Sequence, residues 1–273
     1  MLKKLKYSMA EAIKKNPRTW SLVWNTLPRL TFLLPHDKTY YGFCHLATKK
    51  QGLFLDVGAN NGMTAAGFRH LNTAYRILSV EANRHHEPAL RRLKGRIQDF
   101  DYMISAVGRD PGELRLITPT YKGIPIHTHT SSSRDYLDVS LRRDFTPKVV
   151  DRIIYDEQVV ETITIDSLNL NPDIVKIDVE GGDYEVLLGM TQTISRCRPF
   201  IMIEFTPKKT GAVTEFFAER SYNVFVFNEM QDRFGAFKEA RETQAWQESG
   251  LQVNLFAIPA ETPGIAGCDA LAN

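Results

Sequence analysis

A glycine-containing turn and a downstream acid are the first residues in the sequence that could bind a small molecule. Asp56 is followed by Gly58 and Gly62, which let the backbone turn sharply and approach a ligand closely. A helix predicted after Gly62 would present free N–H groups to the same ligand. Glu81 lies 25 residues after Asp56, where a carboxylate can accept hydrogen bonds from both hydroxyls of a ribose. Together these residues predict a nucleoside-binding site.

The glycine spacing argues against a ligand with phosphates. A dinucleotide-binding turn requires G-x-G-x-x-G, and Asn60 stands where its second glycine would lie. No Gly-Lys-Ser/Thr triplet follows, which excludes a Walker-type phosphate loop. S-adenosylmethionine suits the turn better, because its amino-acid end can meet the glycines while its ribose meets Glu81.

Further acids follow later apolar runs and form a second candidate cluster. Asp178, Glu180 and Glu204 come at or after the ends of predicted strands, at the edge where ligands bind in open α/β sheets. Carboxylates at such an edge can align a reacting group and remove its proton, so these acids are catalytic candidates. Asp178 could equally contact the cofactor or help to hold a cation, and these alternatives stay open.

One of two closely spaced pairs of histidines could bind a metal or act as a base. In an extended chain the imidazoles of His127 and His129 would share one face, which would suit a metal pair or a general base. A polar loop is the favoured alternative for this pair. His85 and His86 are predicted to point in different directions from a helix, into solvent.

The elements that must position these residues alternate between strands and helices. Apolar runs predict strands at residues 53–57, 76–81, 100–107, 113–117, 159–165, 173–178, 199–205, 222–227 and 253–258. Helices are predicted at residues 63–71, 87–93, 183–190 and 210–220. This alternation predicts a parallel sheet built from βαβ units. Residues 109–160 interrupt it, and an interruption of this length predicts a lid or a substrate-binding segment.

Three blocks of the sequence are similar to those of the FkbM-type S-adenosylmethionine-dependent methyltransferases. Residues 54–62 resemble the DVGANxG block of that family, residues 80–83 its VEPxP block, and residues 175–181 its KIDVEG block, the most distinctive. Residues 131–133, 201–204 and 254–256 also match the family, in which a proline often stands at the position of Ala82. The resemblance covers residues 50–258.

This resemblance implies an α/β class I methyltransferase fold, with a seven-stranded, mostly parallel sheet whose last strand is antiparallel. It implies S-adenosylmethionine as methyl donor and a hydroxyl acceptor on a sugar, a glycan or a specialised metabolite. The residues then expected to bind the cofactor are Asp56, Gly58, Asn60, Gly62, Glu81, Ser105 and Ala106, the last two beside the adenine. Metal dependence and oligomeric state are left open.

Composition and charge describe an ordinary globular protein with a basic N-terminal arm. The chain has 273 residues, 43% hydrophobic and 24% charged, which excludes collagen-like, disordered and disulfide-scaffold classes. Three separated cysteines without a CxxC pair favour free thiols in a reducing compartment. Residues 1–50 contain ten Lys/Arg and two acids, a net charge of 10 − 2 = +8. Because the basic charge does not follow the folded body, we expect no nucleic-acid partner.

The sequence also predicts the domain boundaries and the location of the protein. We expect residues 1–50 to form a helical arm, residues 51–260 the methyltransferase domain, and residues 261–273 a loose tail. No apolar signal-peptide core follows the first lysines, so a cytoplasmic protein is expected. Contact between the arm and an anionic membrane surface is the less favoured alternative to packing of the arm on the domain.

Two other functions compete with methyl transfer. An NAD(P)-binding oxidoreductase would use a similar fold. The KIDVEG-like block and the presence of Asn60 instead of a second turn glycine argue against it. A non-catalytic cofactor-binding module would retain the turn without chemistry, and calorimetry combined with acceptor screening separates it from an enzyme.

Overall fold

The computed structural model describes residue 35 and residues 37–179, 181–205, 210–237 and 253–264. The strands are β1 (Gly52–Val57), β2 (Tyr75–Glu81), β3 (Phe100–Ile104), β4 (Ala106–Val107), β5 (Gly112–Tyr121), β6 (Ile124–Pro125), β7 (Ile153–Ile163), β8 (Ile174–Ile177), β9 (Phe200–Phe205), β10 (Tyr222–Asn228), β11 (Arg233–Ala236) and β12 (Val253–Pro259). The α-helices are α1 (Gly42–Leu46), α2 (Met63–Leu71), α3 (Glu87–Lys94), α4 (Arg134–Asp144), α5 (Pro147–Val150), α6 (Asp183–Leu188), α7 (Thr191–Cys197) and α8 (Thr210–Ala218). Short 3-10 turns occupy Lys38–Tyr41, Arg84–His86, His127–His129 and Asp166–Leu168.

The larger sheet contains eight strands in the order β3-β2-β1-β8-β9-β12-β10-β11. The first five strands in this order are parallel, and β12 is antiparallel to both β9 and β10. Strand β1 is central because its apolar residues are buried on both faces, as parallel strands require. This is the Rossmann-like class I methyltransferase fold that the sequence predicts, with its late antiparallel strand.

The predicted number of strands in this sheet was wrong by one. The eighth strand, β11, forms an antiparallel hairpin with β10 and places Phe234 opposite Phe227. The ring of Phe234 is buried 5.2 Å from that of Phe256. Strand β11 has only four residues, too few to show an alternation of apolar and polar side chains. Its assignment as a strand therefore depends on its pairing with β10.

A second, four-stranded sheet (order β4-β7-β5-β6, hereafter the small sheet) is formed largely by the interruption at 109–160, which also contains α4 and α5. Its long antiparallel ladder pairs β5 with β7 from Gly112↔Thr162 to Tyr121↔Ile153. The single strand predicted at 100–107 is in fact broken at Ser105, where the chain leaves the large sheet and enters the small one. Strand β7 also begins at Ile153, earlier than the predicted residue 159.

The charged segment after the small sheet's hairpin is helical. Ser133 caps α4, accepting a hydrogen bond from Tyr136 N–H at 3.3 Å. Leu137 and Leu141, one helical turn apart, are buried against Ile117 of β5. The small sheet therefore has a hydrophobic cluster of its own beneath α4.

Part of the segment predicted as an N-terminal arm belongs to the core. Tyr40, Phe43 and Leu46 are buried, and the ring of Phe43 lies 5.3 Å from Phe54 of β1 and 5.8 Å from Phe256 of β12. Residues 1–34, which carry most of the basic charge, lie outside the described residues. No helix in the described ranges is long and apolar enough to cross a bilayer.

Candidate active site

The turn after β1 has the backbone conformation that its glycines make possible. Gly58, Asn60 and Gly62 have φ angles of +80°, +52° and +86°, all left-handed. A Cβ atom on Gly58 would lie 1.7 Å from the backbone oxygen of Asp178, and one on Gly62 would lie 2.1 Å from Leu93 Cδ1. The turn therefore brings the ends of β1 and β8 into direct contact and leads straight into α2.

Glu81 joins this turn to the end of β2. Its buried carboxylate accepts hydrogen bonds from Asn60 N–H at 2.6 Å and from Asn83 N–H at 2.7 Å. Burial raises the pKa of Glu81 to about 7, and the two amide donors oppose only part of that rise. The acid thus lies at the end of β2, where the sequence predicts it.

Asp56 lies beneath the turn, fully buried on β1. Its Oδ2 accepts a hydrogen bond from Ser79 Oγ at 3.0 Å, and its Oδ1 makes no hydrogen bond within the described part of the chain. Burial raises the pKa of Asp56, and the positive charge of Lys176 compensates only in part. A buried carboxylate oxygen with unused hydrogen-bonding capacity is a suitable acceptor for a polar ligand group.

Lys176 is a site residue that the sequence interpretation missed. Its Nζ donates to the Gly58 carbonyl at 3.0 Å and lies 3.0 Å from Asp178 Oδ2 and 3.6 Å from Asp56 Oδ1. Burial lowers the pKa of Lys176, but the carboxylates of Asp178 and Asp56 outweigh burial and raise it. The available signal was a lysine within the otherwise apolar strand β8, because a buried lysine requires a paired charge.

The sequence matches the Methyltransferase FkbM domain over residues 56–224, more than half of the chain. The chain belongs to the FkbM methyltransferase family. Comparison with curated protein sequences gives no match.

Several solved structures with similar folds are described as methyltransferases. They include a methyltransferase FkbM from Methylobacillus flagellatus KT (14% identity, TM-score 0.48, 84% of this chain and 50% of that chain covered). A precorrin-6y C5,15-methyltransferase from Geobacter metallireducens GS-15 gives 12% identity and a TM-score of 0.40, covering 81% of this chain and 86% of that chain. The present chain spans about half the length of the FkbM structure that it matches. Because these similarities are low, no property of those proteins is transferred to this chain.

In this FkbM family member the predicted catalytic carboxylates lie on neighbouring strand ends. Asp178 directly follows β8, its N–H donates to Val57 O at 3.0 Å, and its side chain is 31% exposed. Glu204 lies near the carboxyl end of β9, opposite Asn254 of β12. Glu180 lies outside the described residues. The catalytic roles of these acids remain predictions.

The residues predicted to lie beside the adenine follow β3 at the same edge. Ser105 N–H donates to Glu81 O at 3.0 Å, and Ser105 Oγ donates to Glu161 O at 2.8 Å. Ala106 is buried in the small sheet's core. Ser105 thus connects the two sheets next to Glu81, while contact with an adenine stays a prediction.

The small sheet is also linked to Glu81 through Asn83. The side-chain amide of Asn83 donates to Thr130 Oγ1 at 3.1 Å and to Thr118 Oγ1 at 3.4 Å, and Asn83 Oδ1 accepts from Gln158 Nε2 at 3.4 Å. The backbone N–H of the same residue binds Glu81. One buried asparagine therefore places the small sheet directly beside the predicted ribose position.

His127 and His129 do not adopt the extended conformation that would place both imidazoles on one face, the less favoured of the two alternatives. The two residues form a 3-10 turn, so their rings diverge: His129 Nε2 lies 3.1 Å from Asp144 Oδ2, and the His127 ring lies 4.4 Å from that of His86. The predicted exposure of His86 was wrong, since it is buried against His127. Among the described residues, no group of three or more His, Cys, Asp or Glu side chains is arranged to hold a metal ion.

We expect the buried histidine pair to make the protein sensitive to acid. Burial and neighbouring histidines lower the pKa of His86 to about 3, and burial and His85 lower that of His127 to about 4. Their contribution to stability is complete above pH 6.5 and is lost as pH falls towards 3, because the unfolded chain then binds more protons. The loss is on the order of 3–5 kcal/mol for each histidine, since one pKa unit corresponds to about 1.4 kcal/mol.

Urea unfolding between pH 7.5 and 4.5 measures this effect. His86→Phe should flatten the decline in unfolding free energy, whereas His70→Phe, at an exposed position on α2, should leave the decline unchanged. Equal declines in wild type and His86→Phe would contradict the assignment.

Proposed function

We propose that this family member is an S-adenosylmethionine-dependent O-methyltransferase that acts on a hydroxyl of a sugar, a glycan or a specialised metabolite. The observation that carries the proposal is the joining of Glu81 to the left-handed turn through Asn60 N–H, at the carboxyl edge of a class I methyltransferase sheet. This arrangement offers a carboxylate to ribose hydroxyls and an open backbone turn to the amino-acid end of the cofactor. The absence of a second turn glycine favours this cofactor over NAD(P).

The residues present fit that cofactor. A side chain at Gly58 would collide with the backbone of Asp178, so the left-handed turn requires glycine here, and Asp56 Oδ1 beneath the turn retains hydrogen-bonding capacity for the cofactor's amino-acid end. S-adenosylmethionine, when bound, supplies a methyl group activated by a positively charged sulfur. The carboxylates of Asp56 and Asp178, balanced by one ammonium on Lys176, leave this edge net negative, which favours a cation.

The roles of the chain in methyl transfer are positioning and proton removal. Asp178 and Glu204 lie at the edge where the attacking hydroxyl must be aligned. Asp178 is ion-paired with Lys176, which suits it to orienting the hydroxyl, and Glu204 and Glu180 remain alternative bases. We propose that the small sheet selects the acceptor. It borders the proposed cofactor site through Asn83, and it departs from the βα pattern of the large sheet.

Cofactor binding is the direct test of this proposal. In calorimetry the full chain should bind S-adenosylmethionine and S-adenosylhomocysteine, and it should not bind NAD or NADP. Incubation with methyl-labelled S-adenosylmethionine and a panel of sugars and hydroxylated metabolites should then transfer label to one acceptor class. Tight NAD binding would favour the oxidoreductase instead, and cofactor binding without transfer to any hydroxyl would favour a binding module.

The remaining expectations about partners follow from the same proposal. With a small-molecule or glycosidic acceptor, we propose a cytoplasmic protein that has no nucleic-acid partner. Contact of the N-terminal arm with an anionic membrane is retained as the less favoured alternative.

A further inference from the structure

Lys176 lies at the carboxyl edge of the large sheet. The proposed function gives it no role in removing a proton or in contacting the acceptor. Its side chain is 3% exposed, and its strand neighbours Val175 and Ile177 are fully buried. Its ammonium reaches three elements at once: the Gly58 carbonyl in the turn, the Asp178 carboxylate after β8, and the Asp56 carboxylate on β1. All three groups belong to the edge at which the cofactor is proposed to bind.

Stability alone gives a poor account of this lysine. Removing an ammonium from water costs several kcal/mol, and replacing buried ion pairs by apolar side chains of similar volume is often neutral or stabilising. The two strand ends are also held together without it, because Asp178 N–H donates to Val57 O and the backbone oxygen of Asp178 abuts Gly58. What Lys176 adds is a fixed orientation of specific polar groups.

The peptide group after Gly58 is held from both ends. Its carbonyl accepts the hydrogen bond from Lys176, and its N–H, on Ala59, donates to Val80 O at 3.1 Å. Rotation of this peptide group would break both bonds and close the turn that the left-handed Gly58 opens. The same ammonium fixes one oxygen of Asp178.

We propose that Lys176 is a positioning residue for the cofactor, which holds the Gly58 carbonyl and the Asp178 carboxylate together in the arrangement that the cofactor requires. This inference rests on the proposed function, because it takes this edge as the cofactor site. Lys176 acts through Gly58 and Asp178 from beneath them. Its charge matters as well as its hydrogen bonds, since Asp56 and Asp178 would otherwise be two like charges in a poorly hydrated place.

S-adenosylhomocysteine binding to the full chain at pH 7.5 tests the positioning role. Lys176→Met and Lys176→Gln should each weaken binding at least about tenfold, the effect of losing a hydrogen bond from a charged donor. Lys176→Gln is included because it keeps a neutral donor and should fold if the methionine variant does not. Leu255→Ala, at a fully buried position on β12 distant from the turn in the sheet order, is the matched control for destabilisation and should bind within about twofold of wild type.

The pH dependence of the melting temperature distinguishes the loss of the Lys176 charge from the loss of its packing. Without the ammonium, the folded variant should keep a proton on the Asp56–Asp178 pair that the unfolded chain has lost, so the deficit in melting temperature relative to wild type should grow from pH 5 to pH 8. The deficit of Leu255→Ala should stay constant over that range. Variants that fold and bind within twofold of wild type, a binding loss no greater than that of Leu255→Ala, or a deficit independent of pH would each overturn the inference. Wild-type protein that binds neither S-adenosylmethionine nor S-adenosylhomocysteine would overturn the proposed function itself.

Discussion

Gly58→Ala is expected to weaken S-adenosylhomocysteine binding roughly a hundredfold and to lower the free energy of unfolding by about 1–3 kcal/mol. The new Cβ would lie 1.7 Å from the backbone oxygen of Asp178, so the ends of β1 and β8 must separate. That separation would break the hydrogen bond from Lys176 Nζ to the Gly58 carbonyl and displace the turn from Glu81. Calorimetry and urea unfolding at pH 7.5 measure both effects.

Gly123→Ala is the matched control for this substitution. Gly123 has a φ angle of +76°, close to the +80° of Gly58, but a Cβ there would meet no atom within 4 Å. It therefore reports only the strain of a left-handed alanine, about 1 kcal/mol, with cofactor affinity unchanged. If Gly58→Ala binds the cofactor as Gly123→Ala does, the close contact at Asp178 is not required for the site.

Glu81→Ala is expected to weaken cofactor binding roughly ten- to a hundredfold, because a buried hydrogen-bonded carboxylate contributes about 1–3 kcal/mol. The change also leaves the N–H groups of Asn60 and Asn83 without their acceptor, so the turn loses its link to β2. Calorimetry with S-adenosylmethionine measures the loss. Glu161→Ala, which removes an exposed acid of β7, should leave the affinity at the wild-type value.

The raised pKa of Glu81 gives this prediction a pH dependence. A carboxylate that accepts hydrogen bonds from two ribose hydroxyls must be ionised, whereas burial holds the pKa of the free site at about 7. Affinity should therefore rise as pH increases towards 7 and level off above 8, with proton release on binding at pH 6.5. Glu81→Gln should bind without proton release. A wild-type affinity that is constant from pH 5.5 to 8.5 would contradict ribose recognition by the ionised acid.

The part of the site that lies along β1 and β2 could be predicted because its determinants are local. Gly58, Gly62 and Glu81 stand at the ends of strands whose apolar runs can be read directly, and parallel strands bring their carboxyl ends to one edge. The predicted parallel sheet is confirmed for the same reason, since strand and helix alternation fixes the direction of each connection. The class I fold was implied by the resemblance to the FkbM family. The boundaries of α2 were predicted to the residue.

Contacts between distant segments were not predictable in this way. Lys176 was read as part of a family block, and only the register that places it opposite Asp56 on β1 shows why β8 contains a buried cation. His86 was expected in solvent, and its burial arises from the small sheet, which brings His127 against it.

The sequence by itself determined the alternation of strands and helices, the open turn and the acid at the end of β2, because periodicity and left-handed glycines act over a few residues. Tertiary structure alone decided the eighth strand, the small sheet, and the ion cluster of Lys176, Asp56 and Asp178. A charged or polar group can be buried at low cost only when it pairs with a group on another element. The local sequence around the buried group does not show which element supplies that partner.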